Sequence, residues 1–485
     1  MNKYEKRIGF RTKKDGEVYL DYQKFAGYIQ KKLKLIYTEN GEFWRYKNGV
    51  YKPISEERIK AYMADLILNT QPKFLTPKCE TMCLFNLRKI SFYGGKFNKF
   101  KNMICLKNGM YDVKKDRLLP HDEKYYCTIQ FPIEYEEKAK CPKFKKFLKA
   151  VFKGNKKLIK VIQELLGYVL IKSTASQCFF IFYGTGSNGK SVLANIFMKF
   201  VGEGNYANVS IRNLSRNFSR AKLSKVALNI STENESSNGK LLDSQYVKAI
   251  SSGDSIEAEF KGKDVFSFKP TCKLIFCTNT LPQFNDKSNG FYRRIMIVPF
   301  ESHFSIEDGT ADINIEKKLT AEMSGILNFA LKGLKRLEKN DFKFTKSKKM
   351  NKLKSFYKKL VNPYEDFWHE RVTTKALNNN LMNTKKEFYN EFILWCSENK
   401  HIRYANITPR KFWLEFSELF SSKLHKKLKF KKSGDNRYVR DVYLKDNFLP
   451  RINKKNKLGD NKFSKRPKFV IDDTYDEASD TDEDI

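Results

Sequence analysis

Long apolar runs are missing from this sequence. No stretch approaches the roughly 20 consecutive apolar residues that a membrane-spanning helix requires. The N-terminus, MNKYEKRIGFRTKKDGEVYL, has no apolar core of signal-peptide length. A soluble, intracellular protein is the expectation. Metal-cluster spacing is missing too. The nine Cys and five His are scattered. Cys79/Cys83 and Cys272/Cys277 are the close pairs around the loop described below, and neither faces a second pair that would complete four ligands. Reduced, mostly buried thiols are expected instead. No internal repeat is present. Acid is in short supply: 55 Asp and Glu stand against 93 Lys and Arg, for a formal net charge of +38. A surplus this large points to contact with a polyanion, nucleic acid above all. The competing reading is a solvated Lys-rich surface from an AT-rich genome.

At 485 residues the chain is too long for one hydrophobic core, and two to four domains are expected. Residues 1–95 mix strand-like and helical pieces, an α+β accessory region. There GEFWRYKNGVYKPIS alternates aromatic and polar residues around Asn48-Gly49 and predicts a hairpin. SEERIKAYMADLILN follows with a capping start and a helical period. Residues 96–174 begin with a second hairpin, its turn expected at Asn108-Gly109. They continue into the helical FKKFLKAVF and KKLIKVIQELLGYVLI. Residues 175–335 alternate helices with the short β-rich runs FFIFY, VALNIS, CKLIFCTN and RIMIVPF, the pattern of an α/β sheet with covering helices. Residues 336–450 form a basic helical linker and a unit whose helices precede a basic strand pair, KKLKFKKSGDNRYVRDVYL, as in a winged helix. Residues 451–485 turn from basic to acidic and are expected to be disordered. The fold class is multidomain α/β.

The segment Gly184-Thr185-Gly186-Ser187-Asn188-Gly189-Lys190-Ser191 fits G-x-x-x-x-G-K-[ST], with a strand before it and a helix after it. Glycines permit the tight turn and let backbone N–H groups point inward at phosphate oxygens. Lys190 supplies positive charge to the β- and γ-phosphates, and the Ser191 hydroxyl can ligate Mg²⁺. The helix SVLANIFMKF offers its N-terminal dipole to the same anion. ATP and Mg²⁺ are the implied cofactors.

Hydrolysis needs more. In VALNISTENE a buried strand runs into Glu233 and Glu235; Glu233 is the candidate base and Glu235 the candidate metal ligand. CKLIFCTN ends in Asn279, an amide able to orient water or sense the γ-phosphate. GFYRRIMIVPF sets Arg293 and Arg294 before another strand, and either is a candidate arginine finger, which can act across a subunit boundary. Between the acids and the amide, YVKAISSGDSIEAEFKGKDVFSF predicts a helix, a turn and a hairpin. Its tip carries Phe260, Lys261 and Lys263, suited to a nucleic-acid groove.

These motifs, in this order and within little more than a hundred residues, resemble a superfamily 3 helicase. The resemblance is closest to the phage, plasmid and poxvirus helicase–primase family. GTGSNGKS, LNISTENE, VKAISSGDSIEAEFKGKDVFSFKPTCKLIFCTNTLPQF and GFYRRIMIVPF carry it in the motor. Residues 96–174 resemble the helicase-associated domain, and NTKKEFYNEFILWCSENK the C-terminal winged-helix segment. The resemblance implies a P-loop AAA+-like ATPase core in a homohexameric ring that translocates 3′ to 5′ on single-stranded DNA. ATP would lie between subunits, with Lys190, Ser191, Glu233 and Asn279 from one and Arg293 or Arg294 from the next. Lys261 and Lys263 would track DNA in the channel. Thr232 stands where many such ATPases place a second carboxylate. No paired-aspartate motif precedes the helicase-associated region, so priming is expected on another chain. The partners implied are single-stranded and forked DNA, a separate primase or polymerase, and a single-strand-binding protein, in a bacterial host cytoplasm. The rival reading is an origin-binding initiator, in which Lys426, Lys427, Lys429, Lys431, Lys432 and Arg437 hold duplex DNA and ATP controls assembly. An RNA-directed motor is a second rival. The acidic tail keeps a basic protein soluble, or mimics single-stranded DNA.

Overall fold

The computed structural model describes residues 2–232, 241–375, 382–399, 401, 404, 406–434 and 436–445. The chain forms two compact units, Met1–Asp366 and Phe367–Ile485.

The first unit contains an antiparallel hairpin, Phe43–Lys47 and Val50–Ile54, in a four-stranded sheet with Leu35–Thr38 and Phe92–Tyr93. Its two-residue turn is Asn48-Gly49, both with positive φ (52° and 89°), the turn whose twist matches paired strands. Helices Tyr22–Leu33, Glu56–Leu68 and Pro77–Ile90 bury Phe25, Ile29, Ile59, Met63, Leu84 and Leu87. Ser55 and Thr76 cap the second and third by accepting from the N–H three residues on.

The second hairpin departs from expectation by one residue. Leu106 pairs with Gly109, so the turn residues are Lys107 and Asn108 rather than Asn108 and Gly109. Gly109 is required by close approach instead: a Cβ there would sit 2.5 Å from the Leu119 carbonyl oxygen. Asn108 bonds both the N–H and the carbonyl of Tyr135 (2.9 and 3.1 Å), locking the turn to the following segment.

Five parallel strands form the central sheet: β1 (Phe179–Tyr183), β2 (Tyr206–Ala207), β3 (Leu228–Ser231), β4 (Lys273–Thr278) and β5 (Ile295–Pro299), in spatial order β2-β3-β4-β1-β5. Both faces are covered, which is why FFIFY is continuous rather than alternating. Phe180 and Phe182 face one core, Phe179 and Ile181 the other. The first of these cores is continuous from Ile104 to Met350. It joins the second hairpin, helices Pro142–Val151 and Lys156–Val169, the sheet, and the returning helix Met323–Lys339. The helices Lys156–Val169 and Met323–Lys339 pack almost backbone to backbone. A Cβ on Gly167 would lie 2.5 Å from the Ala330 oxygen, and one on Gly333 2.2 Å from the Gln163 oxygen. Buried Glu164 crosses this seam, accepting from Arg336 Nε at 2.6 Å and from Thr345 N at 2.8 Å.

The second unit has helices Lys385–Glu398 and Pro409–Leu424, then the antiparallel pair Phe430–Ser433 and Asn436–Val439. Short strands Val372–Thr373 and Tyr443–Leu444 close it. Thr384 and Glu387 make a reciprocal capping box on its first helix. Phe388, Phe392, Trp395, Phe412 and Phe416 fill its core. Lys426, Lys427, Lys429, Lys431, Lys432 and Arg437 are all exposed.

All nine cysteines are buried and none forms a disulfide; Cys79 and Cys83 lie one helical turn apart with sulfurs at 3.9 Å. Among the described residues, no helix is long and apolar enough to cross a membrane, and no group of three or more His, Cys, Asp or Glu side chains could hold a metal ion.

Candidate nucleotide site at the end of the central sheet

The glycine loop leaves the C-terminal end of β1 and feeds helix Lys190–Val201. Two glycines are demanded by geometry. A Cβ on Gly184 would fall 2.2 Å from Asn188 Nδ2 and 2.5 Å from the Phe300 oxygen. Gly189 has φ +81°, a region only glycine enters freely, and precedes the first helical residue. The loop is held from outside. Asn188 Nδ2 donates to the Phe300 carbonyl (3.1 Å) and Phe304 N–H to the Ser187 carbonyl (2.7 Å). The segment after β5 therefore braces the loop, a role that the sequence pattern did not reveal. Thr185, Ser187 and Ser191 are exposed and Gly186 is half-buried; Asn188 and Lys190 are buried.

Lys190 Nζ donates to the Gly184 carbonyl at 2.6 Å, to Asn188 Oδ1 at 3.3 Å and to Asn279 Oδ1 at 3.0 Å. These partners are neutral oxygens. Among the described residues no carboxylate lies within ion-pair distance of this buried ammonium, and burial pushes its pKa below the ordinary lysine value. A buried cation without a counter-ion costs free energy unless an anion reaches it. The donor set thus fits an anionic ligand at the loop, with Lys190, the Ser191 hydroxyl and the first N–H groups of the helix as the groups to hold it.

Asn279 follows β4, which is hydrogen-bonded to β1 in parallel with Thr278 opposite Tyr183. Two motifs 89 residues apart therefore meet at one sheet edge. Ser231 of β3 stands opposite Phe276 of β4, so the chain leaves β3 at that same edge. Glu233 and Glu235 lie outside the described residues.

Arg293 and Arg294 end helix Asn289–Arg294, immediately before β5. Ile295 is opposite Phe179 at the start of β1, and Pro299 opposite Tyr183 at its end. Both arginines thus sit at the far end of the strands from the loop, about 15 Å of strand away. They differ from one another. Half-buried Arg294 donates to the Gly290 carbonyl (2.6 Å) and twice to Ser252 Oγ (3.2 and 3.0 Å). Exposed Arg293 makes a side-chain bond to Gln177 at 3.2 Å.

The hairpin between β3 and β4 pairs Ile256–Ala258 with Phe266–Phe268. Its tip closes with Lys263 N–H donating to the Phe260 carbonyl (3.0 Å) around Gly262 at φ +73°. Lys261 and Lys263 are fully displayed. Phe260 instead folds back, its ring stacked on Phe266 at 5.2 Å and 10°. The hairpin's root is set by buried Arg220, which donates to the Glu257 carbonyl (2.7 Å) and the Leu214 and Ser215 carbonyls (3.0 and 2.8 Å) and lies 4.0 Å from the Tyr246 ring. Sequence reasoning passed over Arg220, for nothing in RNFSRAKL marks one basic residue as buried.

With this geometry in place, comparison with known proteins gives a consistent result. Residues 22–153 match the family described as "D5 N terminal like", and residues 182–294 a family of unknown function, DUF5906. The chain is 24% identical over 373 residues to "Putative helicase 184R" of Invertebrate iridescent virus 6, covering 65% of this chain and 36% of that protein. It is 26% identical over 212 residues to "Putative helicase L207/L206" of Acanthamoeba polyphaga mimivirus, covering 42% of this chain and 22% of that one. It is 22% identical over 302 residues to "Primase D5" of Fowlpox virus, covering 55% and 36%. The chain thus spans about a third or less of the length of these relatives. Among solved structures, the apo C-terminal region of NrS-1 superposes with a TM-score of 0.51 at 13% identity, covering 85% of this chain and 98% of that one. That likeness is one of multidomain α/β fold. A segment similar to the D5 N-terminal family thus precedes the glycine-loop α/β core. These similarities support a superfamily 3 helicase/primase-family protein.

Proposed function

We propose that this chain is an ATP-driven DNA motor: a P-loop AAA+-type ATPase that assembles as a homohexameric ring and moves 3′ to 5′ on single-stranded DNA to part a replication fork. One observation carries the reading. Lys190 is buried at the mouth of the glycine loop, held by Asn279 from the neighbouring strand at 3.0 Å, with only neutral partners among the described residues. Mg²⁺–ATP, when bound, would supply the phosphoanhydride whose hydrolysis drives movement. Lys190 and the loop N–H groups would hold its phosphates, and Ser191 with Glu235 its metal. Asn279 would orient a water for Glu233 to deprotonate. The strand order β2-β3-β4-β1-β5 supports the AAA+ assignment, because it places the glycine loop and the Asn279 strand side by side.

Arg293 and Arg294 sit too far from their own loop to serve it, which supports a finger acting on a neighbouring subunit. Arg293 is the better candidate, since Arg294 is engaged in fixing its own helix. Lys261 and Lys263 are the channel contacts, and the second unit is a winged helix. The viral relatives support a replicating viral element as the source.

The test is strand separation on forked DNA bearing either a 3′ or a 5′ tail, with the mass of the assembly measured alongside. ATP-dependent unwinding from the 3′ tail by a six-subunit species is expected; unwinding only from the 5′ tail, or none, overturns the assignment. Mixing Arg293→Ala with Lys190→Ala subunits restores part of the hydrolysis if the site is shared. The exposed lysines of Phe430–Ser433 favour one further role, duplex binding at an origin. Preference for one duplex site without unwinding would make that role the principal one.

A further inference from the structure

Outside the motor, residues 92–102 read FYGGKFNKFKN, three lysines interleaved with aromatics and no acid. The segment is pinned down. Asn98 bonds Thr128 twice through its side chain, at 2.9 Å each, and its N–H donates to the Tyr126 carbonyl at 3.0 Å. Phe97 roots it among the rings, 4.6 Å from Trp44 and 6.0 Å from Tyr93. A stack of rings backs the charged surface, its inner member Tyr51 buried. Tyr93 stacks on Tyr126 at 4.3 Å and 18°, and Tyr126 on Tyr51 at 5.6 Å and 13°. Phe100 is 42% exposed. Lys99 lies 5.3 Å from the Phe100 ring centre and 5.9 Å from that of Tyr126. The nearby acids Asp122 and Glu123 pair with Lys124 and Lys34. Among the described residues Lys96, Lys99 and Lys101 have no carboxylate within ion-pair distance, and all three are exposed.

These rings are also joined to the motor's hairpin. Phe97 touches Trp44, Lys225 Nζ lies 5.1 Å from the Trp44 ring and 6.0 Å from the Phe260 ring, and Glu42 holds the same ammonium at 3.0 Å. That link runs through the buried Trp44 ring.

We propose that the strip formed by Phe100 with Lys96, Lys99 and Lys101, backed by the Tyr93–Tyr126 stack, is a second binding site for single-stranded nucleic acid, stacking a base on the exposed Phe100 ring and neutralising phosphates with its lysines. Rings that accept any base face, beside unpaired ammonium groups on a rigid backbone, are the chemistry of sequence-tolerant single-strand binding. Binding to the strip needs no ATP. It rests on the motor reading only for its continuity with the hairpin.

The test uses the full chain without nucleotide and a fluorescein-labelled oligothymidylate, read by anisotropy across a salt series. Phe100→Ala should weaken binding about tenfold, the worth of one stacked base, with thermal melting unchanged. Lys99→Ala with Lys101→Ala should lower the magnitude of the log–log salt slope by about 1.4, two single-strand phosphates' worth. The assay contains no nucleotide, so its outcome is distinguishable from that of the hydrolysis assay that tests the ATPase reading. Unchanged affinity and slope in both strip variants would overturn the proposal. Equal weakening of duplex and single strand by Phe100→Ala would overturn the stacking. Photocrosslinking of a 5-iododeoxyuridine oligomer to the parent protein gives a check that no substitution can confound. Crosslinks in the peptide spanning 92–102 are expected, and crosslinks confined to other peptides contradict the proposal.

Discussion

Replacing Asn279 by Asp changes one atom and adds one charge, 3.0 Å from the Lys190 ammonium. The ammonium already bonds a neutral amide oxygen; with a carboxylate it meets a full counter-charge, a gain of about 1.5–3 kcal/mol. Bare Coulomb attraction at that distance would be on the order of 5 kcal/mol at an effective dielectric constant of 20. Asn279 is exposed, however, so water screens it, and the smaller figure governs. The empty site is thereby stabilised and Lys190 acquires an internal counter-ion that an incoming phosphate must displace. ATP affinity in Asn279→Asp should fall by about ten- to a hundredfold, while the melting temperature without nucleotide rises. Asn279→Ala acts differently. Lys190 keeps the Gly184 and Asn188 oxygens, so nucleotide binding should change little while hydrolysis falls by about a hundredfold. Titration calorimetry with a non-hydrolysable ATP analogue, beside a phosphate-release assay, separates the two. If Asn279→Asp binds the analogue as tightly as the parent, Lys190 does not meet the phosphates and the site has been misassigned.

Three further outcomes test the scaffold. Gly333→Ala should destabilise the fold by about 1–2 kcal/mol in urea unfolding. The clash with the Gln163 oxygen at 2.2 Å outweighs the roughly 1 kcal/mol helix-propensity gain; a stability gain would show that the helices are not in backbone contact. Lys273 is buried between the Ile171 and Thr271 carbonyls (2.9 and 2.7 Å) and its pKa is pushed by burial down to about 7. The unfolded chain keeps that proton to about 10.5 and so binds more protons, and stability should rise from about pH 7 to pH 10 by up to roughly 1.4 kcal/mol per unit. Lys172, pushed to about 8 by burial, adds to the upper part of that window. Lys273→Met should flatten the profile, and an unaltered profile would exclude Lys273 as its source. Arg220→Ala frees the hairpin root and should abolish DNA stimulation of hydrolysis while nucleotide binding persists; full stimulation would mean the hairpin needs no such anchor.

The glycine loop, the strands and the helix that follows were legible because each is a local signal: a turn that only glycine tolerates, apolar runs of strand length, a Gly-Lys-Ser start. Asn279 was legible because it ends an apolar run. Its partner was not, since strand order is a property of the sheet and β4 could have lain elsewhere. The turn at Lys107-Asn108 was misplaced because Gly109 resembles a turn residue while serving close packing against Leu119. Arg220 was invisible: an arginine among arginines and lysines gives no sign that it alone is buried. The strip at residues 92–102 carried an aromatic and basic interleaving in plain view. Its meaning depended on Tyr126 and Trp44, brought beside it by the fold. The brace from Phe300 and Phe304 was hidden because it is made chiefly through backbone groups.

Lys190 gripping a triphosphate whose cleavage is coupled to DNA is the step on which the proposed motor depends. The most direct measurement is the ATP hydrolysis rate of the parent and Lys190→Ala proteins, with and without single-stranded DNA. Hydrolysis by the parent that rises on adding DNA, and is abolished in Lys190→Ala under both conditions, is the predicted result. Near-parental turnover in Lys190→Ala, or a parent that hydrolyses no ATP with DNA present, would contradict it.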